Sequence, residues 1–155
     1  MRKLLLISLI VLLGSLAAKA QYSSALGLRG GLYYGVTYKK AAGDNHLEFI
    51  GATRWGGFNF TALWEKNNAI GEVENLYWYY GFGGHVGIWD RERSVWFDEP
   101  GDDAVVVGVD GIIGLEYAFD EIPFCISIDY KPAFNFIGYS GFLGDNGAFS
   151  VRYTF

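Results

Sequence analysis

Cysteine is almost absent from this chain. Cys125 is the only one among 155 residues, so no internal disulfide can form. Proline is scarce, with three, and histidine occurs twice. Positive charge is also short: 12 Lys and Arg face 17 Asp and Glu, for a formal charge of −5. That balance argues against nucleic acid as a partner. After the first twenty residues, no apolar run approaches the ~20 residues that a membrane-spanning helix needs. The chain therefore has no disulfide framework, no basic face and no spanning helix.

The first twenty residues read as a cleaved secretory signal peptide. Arg2 and Lys3 form a basic start, Leu4 to Leu13 an apolar core, and Ala18-Lys19-Ala20 a small-residue cleavage site. The apolar core is too short to serve as an anchor. No Cys follows the cleavage site, which argues against a lipoprotein. Residues 21–155 then form one domain, and loss of Arg2, Lys3 and Lys19 moves the formal charge to −8.

What the chain does have is aromatic residues, at 18 %, and glycine, at 22 residues. Both are arranged in alternating stretches with period two, the repeat of a β-strand. Eight strands can be drawn: 24–31, 35–40, 47–55, 58–65, 76–89, 104–119, 124–137 and 147–155. The first two could be one strand, because parity runs unbroken from Leu26 to Tyr38; eight strands return both termini to one side. Residues 66–75 read as a polar link. Pro132 removes a ladder donor, so a bulge is expected there.

The last strand alternates completely. Phe149, Val151, Tyr153 and Phe155 share one face; Ala148, Ser150, Arg152 and Thr154 share the other. Across all eight strands the apolar face is expected to carry no charge, with Thr53 its only clearly polar member. The opposite face carries Arg29, Lys39, Arg54, Lys131 and Arg152 together with Glu48, Glu65, Asp110, Glu116 and Asp129. A soluble barrel would turn the apolar face inward. Eight strands enclose little more than filled side-chain space, which the many Phe and Trp would overfill but a balanced set of ion pairs would not. Against lipid, an Arg or Lys near the midplane costs about 2–4 kcal/mol, so a charge-free face is what a membrane barrel requires. The expectation is an all-β, eight-stranded, antiparallel, up-and-down transmembrane β-barrel. Tyr33, Tyr34, Trp55, Trp89, Phe119 and Tyr139 fall near strand ends, as interfacial girdles do.

These features resemble the small OmpA/OmpX-like outer-membrane barrels of Gram-negative bacteria, a porin-family fold. The resemblance spans about residues 25–155. It rests on Gly27-Leu28-Arg29-Gly30-Gly31, Trp78-Tyr79-Tyr80-Gly81 with Gly84-His85-Val86-Gly87, Gly111-Ile112-Ile113-Gly114-Leu115-Glu116-Tyr117, Asp129-Tyr130-Lys131-Pro132-Ala133-Phe134-Asn135 and the ending Val151-Arg152-Tyr153-Thr154-Phe155. It implies an outer-membrane location and contact with outer-membrane lipid and lipopolysaccharide. It also implies handling by periplasmic chaperones and the barrel assembly machinery, with Phe149, Val151, Tyr153 and Phe155 as the assembly signal. The family shares no catalytic residues; its roles are envelope stability, adhesion and surface contact, and no particular extracellular partner is implied.

Local motifs add little chemistry. The insertion 90–103 carries Asp90, Glu92, Asp98, Glu99, Asp102 and Asp103 against Arg91 and Arg93, a net of −4. Carboxylates suit hard cations or a partner's charges, but the spacing is not an EF-hand and no metal or cofactor is expected. His85 shares the polar face with Asp110 and Glu116, as a member of the ion-pair network; His46 sits in a turn without obvious partners. The glycine clusters at 81–84 and 108–111 lack the helix that a phosphate loop needs. A lipid-modifying enzyme would need a nucleophile and base facing lipid, whereas Ser127 and Ser150 face inward. The chain is therefore expected to be no enzyme, and a narrow lumen filled by charges argues against a diffusion pore.

Overall fold

The computed structural model describes residues 22–93 and 101–155. The expected signal peptide lies outside the described residues, as do Asp98 and Glu99 of the acidic insertion. Ten strand segments are described: β1 Ser24–Gly31, β2 Tyr34–Ala42, β3 Asn45–Arg54, β4 Gly57–Ala69, β5 Leu76–Trp89, β6 Ala104–Ala118, β7 Phe124–Tyr130, β8 Ala133–Ile137, β9 Gly141–Leu143 and β10 Gly147–Thr154. β7 and β8 are two lengths of one stave, and β9 and β10 are two lengths of the next. The result is a closed, eight-stranded, antiparallel, up-and-down barrel in which neighbours in sequence are neighbours in space. The first two strands are separate, joined through Leu32 and Tyr33.

Closure is made by β1 against β10, in register from Ala25↔Thr154 to Gly31↔Ala148. The last residue takes part: Phe155 N donates to Ser24 O and Ser24 N donates to Phe155 O, both at 2.8 Å. Tyr22, the first described residue, and Phe155 lie at one end of the barrel, with the turns at 43–44, 70–75 and 119–123; we call this the terminal end. The loop end carries the tight turns after β1 and β3 and the described ends of the insertion, residues 90–93 and 101–103. Trp55 and Gly56 both have positive φ, 50° and 72°, the backbone of a type I′ hairpin turn whose twist matches that of the strands.

Two differences from the sequence reading bear most on which residues face inward. β4 runs on to Ala69 along β5, past the last pair that β3 makes at His46↔Glu65. The polar composition of Lys66-Asn67-Asn68 hides a strand that has left its β3 neighbour, and the link shrinks to six residues. At Pro132 the stave is interrupted, yet its register on β6 continues unshifted from Tyr130↔Ile113 to Ala133↔Asp110. Gly111 N still donates to Pro132 O at 2.9 Å; only the return bond, which needs a proline N–H, is missing. The bulge lies further along, between Val107 and Gly108. Faces after Pro132 therefore keep their parity: Ala133 and Asn135 are buried, Phe134 and Phe136 exposed.

Every strand turns its apolar alternates outward, including Leu28, Phe58, Phe82, Ile128 and Phe149. Thr53 is satisfied by donating to Gly57 O at 2.6 Å. Two charges nevertheless share this face: Lys40 at the end of β2 and Lys66 near the end of β4 are both exposed, both toward the terminal end. Tyr33 and Trp89, expected in the girdles, face inward at 5 % and 1 % exposure. They join Ile50, Ala52, Leu63, Tyr79, Val106 and Ile112 in an apolar cluster inside the barrel. Trp89 has the parity of His85 and Gly87, and the parity wins.

The interior accepts these large side chains because β5 faces glycine across the ladder. Tyr79 is paired with Gly114, His85 with Gly108 and Trp89 with Gly57. A Cβ at Gly114 would lie 2.6 Å from Tyr79 Cζ and 2.7 Å from Asp129 Cβ, whereas one at the outward-facing Gly30 would meet nothing within 4 Å. Gly114→Ala should therefore cost about 1–3 kcal/mol by overpacking. Gly30→Ala should be neutral or stabilising by up to about 1 kcal/mol. Urea unfolding in detergent micelles measures both, and equal effects would contradict this account of the interior.

Candidate functional site

The chemistry-bearing side chains of this protein are inside the barrel. All ten charged residues assigned to the polar face are buried, from Lys39, Glu48, Glu65 and Arg152 at 0 % exposure to Arg54 at 8 %. They reach one another because inward-facing alternates of neighbouring strands form columns that the register sets side by side. The interior divides into three groups along the barrel.

Toward the terminal end, Arg152 is the centre. Its guanidinium pairs with Glu48 Oε1 at 2.5 Å and Glu116 Oε2 at 3.4 Å. It also donates to Ser127 Oγ at 2.8 Å and Thr37 Oγ1 at 3.3 Å. Thr37 in turn donates to Glu48. Lys39 Nζ stands 2.9 Å from Glu65 and 3.3 Å from Glu116, over the ring of Tyr79. Tyr22, just before β1, folds under the barrel and donates to Glu116 Oε1 at 2.5 Å. Burial first, and then Glu116, holds the Tyr22 phenol well above its ordinary range, so it remains a donor.

At mid-height, Arg29 grips Asp129 through two parallel bonds of 2.6 and 2.5 Å, and Tyr79 donates to the same carboxylate at 3.1 Å. Two parallel charge-assisted bonds of this kind add geometric specificity as well as strength to a pair. Toward the loop end, Asp110 pairs with Lys131 and lies 2.6 Å from His85 Nδ1, while His85 Nε2 lies 2.8 Å from Asn135 Oδ1. At the rim, Arg54 pairs with the half-exposed Asp145 at 3.0 Å, stacked on Trp55 at 3.5 Å and over Tyr33 at 5.1 Å. Burial pushes the Tyr33 phenol up to about 12 despite that guanidinium.

His85 and Asp110 are together, as their parity implies, but Glu116 belongs to the other end of the barrel, with Arg152 and Lys39. His46 is not in a turn. It is the second residue of β3, 2 % exposed, with both ring nitrogens lacking a hydrogen-bond partner. Tyr22, Tyr79, Asn135 and Asp145 are members the sequence reading missed. Inward parity pointed to Tyr79 and Asn135; nothing in the alternation pointed to Tyr22 or Asp145, which lie outside the strands.

In the insertion, Asp90 pairs with Arg93 at 3.4 Å and accepts from Glu92 N at 2.9 Å. Glu92, Asp102 and Asp103 are exposed. Among the described residues, no three acidic, His or Cys side chains are grouped as metal ligands. Ser127 and Ser150 are buried inside the barrel. Cys125 is a free thiol, also buried.

Comparison with protein-family models, curated proteins and solved structures returns no match.

The interior pairs set a quantitative expectation. Arg152→Met leaves Glu48 and Glu116 short of a buried partner and should cost about 3–5 kcal/mol. Adding Glu48→Gln removes one stranded charge and should return part of that loss. A double-mutant cycle in urea measures the coupling, and strictly additive losses would show that the two do not act as a pair.

Proposed function

We propose that this chain is a small outer-membrane β-barrel protein, OmpA/OmpX-like, with a structural or surface-interaction role and a lumen plugged by ion pairs. The observation that carries this reading is the inversion of the barrel: a belt of exposed Leu, Ile, Val and Phe surrounds ten buried charges. An apolar surface this continuous marks contact with a membrane or a partner, and a belt around the whole barrel fits lipid. Lys40 and Lys66 are compatible with it, because lysines near a membrane boundary snorkel to the headgroups.

The terminal end then faces the periplasm, and the insertion 90–103 lies outside, where its acidic side chains meet lipopolysaccharide through divalent ions or an extracellular partner. The signal peptide directs export; periplasmic chaperones and the assembly machinery deliver the chain to the outer membrane. Phe149, Val151, Tyr153 and Phe155 form the assembly signal. Their side chains point outward, with Phe124 and Tyr153 edge to face at 5.6 Å and Tyr153 stacked with Phe155 at 6.2 Å. No enzymatic activity is proposed: the serines lie inside, and the His85–Asp110 pair is engaged with Lys131 and Asn135.

Three measurements test this reading. The protein should fractionate with membranes and show heat-modifiable mobility on gels; recovery without detergent in the soluble fraction would overturn it. In planar bilayers it should give no large, stable conductance. Leu28→Arg, on the belt at mid-strand, should cost about 2–4 kcal/mol of stability in lipid bilayers, against little change for Lys66→Leu.

A further inference from the structure

The interior charges do not balance locally. Arg29 pairs with Asp129, Lys131 with Asp110 and Arg54 with Asp145. That leaves three carboxylates, Glu48, Glu65 and Glu116, with two bases, Lys39 and Arg152. A net negative charge buried in a barrel interior is costly unless something positive joins it.

Hydrogen bonding locates the shortfall. Glu116 accepts from Tyr22, Lys39, Arg152 and Asn67. Glu48 Oε1 accepts from Arg152 and Thr37, but Glu48 Oε2 has no partner. Glu65 has Lys39 within ion-pair distance, yet neither of its oxygens is hydrogen-bonded. Glu48 and Glu65 are diagonal inward neighbours on β3 and β4, since Glu65 is paired with His46 and Glu48 with Leu63. At that spacing long side chains meet. Two ionised carboxylates only accept hydrogen bonds, so nothing in the pair itself can join them.

We propose that the terminal half of the lumen binds one proton beyond its fixed charges, carried by the Glu65 carboxyl group and donated to Glu48 Oε2. One O–H satisfies the orphaned oxygen of Glu48, leaves the other Glu65 oxygen facing Lys39, and brings the cluster to neutrality. Glu48 is the acceptor because Arg152 and Thr37 already hold its charge. The other titratable groups facing this pair are Arg29 on β1, Lys39 on β2, His46 on β3, Tyr79 on β5, Glu116 on β6, Cys125 on β7, Arg152 on β10 and Tyr22 before β1. His46 donates to neither carboxylate. The inference rests on the plugged lumen proposed above, but a spectroscopic band reads the proton whatever the barrel conducts.

An unfolded glutamate releases its proton near pH ~4.3. Above that pH the folded state holds one more proton than the unfolded state, so this contribution to stability declines as pH rises. The test uses the protein folded in detergent micelles at neutral pH. The infrared spectrum should contain the carbonyl stretch of a neutral carboxylic acid, shifted in heavy water and absent in Glu65→Gln. Glu65→Gln should fold with unfolding midpoints that no longer fall with rising pH, while Glu48→Gln is strongly destabilised. An absent band, or a band and pH slope that survive in Glu65→Gln, would overturn the proposal. So would a slope abolished by His46→Gln, which assigns it to the imidazole, or a stoichiometric metal ion retained by the cluster and removed by chelator.

Discussion

Charges enclosed in a barrel this narrow have to neutralise one another, and much of the structure follows from that constraint. Arg152, Lys39 and Arg29 find their partners only because the register of each strand on the next brings the right inward alternates to the same height. A slip of one residue would turn a whole column of charges outward. The ion pairs are weak evidence for stability in themselves, since desolvation offsets most of their attraction. Their use is in choosing one register from many. The glycines opposite Tyr79, His85 and Trp89 serve the same end, since each opens a space that only one alignment fills.

The strands were legible because period two depends on no tertiary contact: each inward or outward assignment reads straight from residue parity. The boundaries of β1 and β5 follow from it, and so do the buried positions of all ten charges. Who pairs with whom was not legible. Glu116 lies on the same strand as Asp110, and only the three-dimensional register sends one to Arg152 and Lys39 and the other to Lys131 and His85. Lys66 and Lys40 were misjudged for different reasons. Lys66 sits in a stretch whose polar composition imitates a turn, while Lys40 already shares the parity of Val36 and Tyr38. Trp89 shows a conflict of signals: its residue type and strand-end place suggest an interfacial belt, but its parity sends it inward. Tyr22 and Asp145 carry no periodic signal at all, because they lie outside the strands.

The interior is not uniform along its length. The mid-height fork of Arg29 on Asp129 and the apolar packing of Ile50, Leu63, Tyr79 and Ile112 fill the middle. At the ends, side chains from outside the strands, Tyr22 at one and Asp145 at the other, complete the pairing.

The bonds between Ser24 and Phe155 carry a consequence for synthesis. The first strand meets its second neighbour, β10, only when residues 148–155 have been made, Phe155 standing 131 positions after Ser24. Until then one edge of β1 is an open template for any passing strand, the condition that makes long-range β pairing slow and prone to aggregation. Gly27, Gly30 and Gly31 leave that edge sparse in side chains to defend it. Late closure of this kind leaves the pairing of β1 incomplete through most of synthesis, and Phe155 adds two bonds to Ser24 at its end.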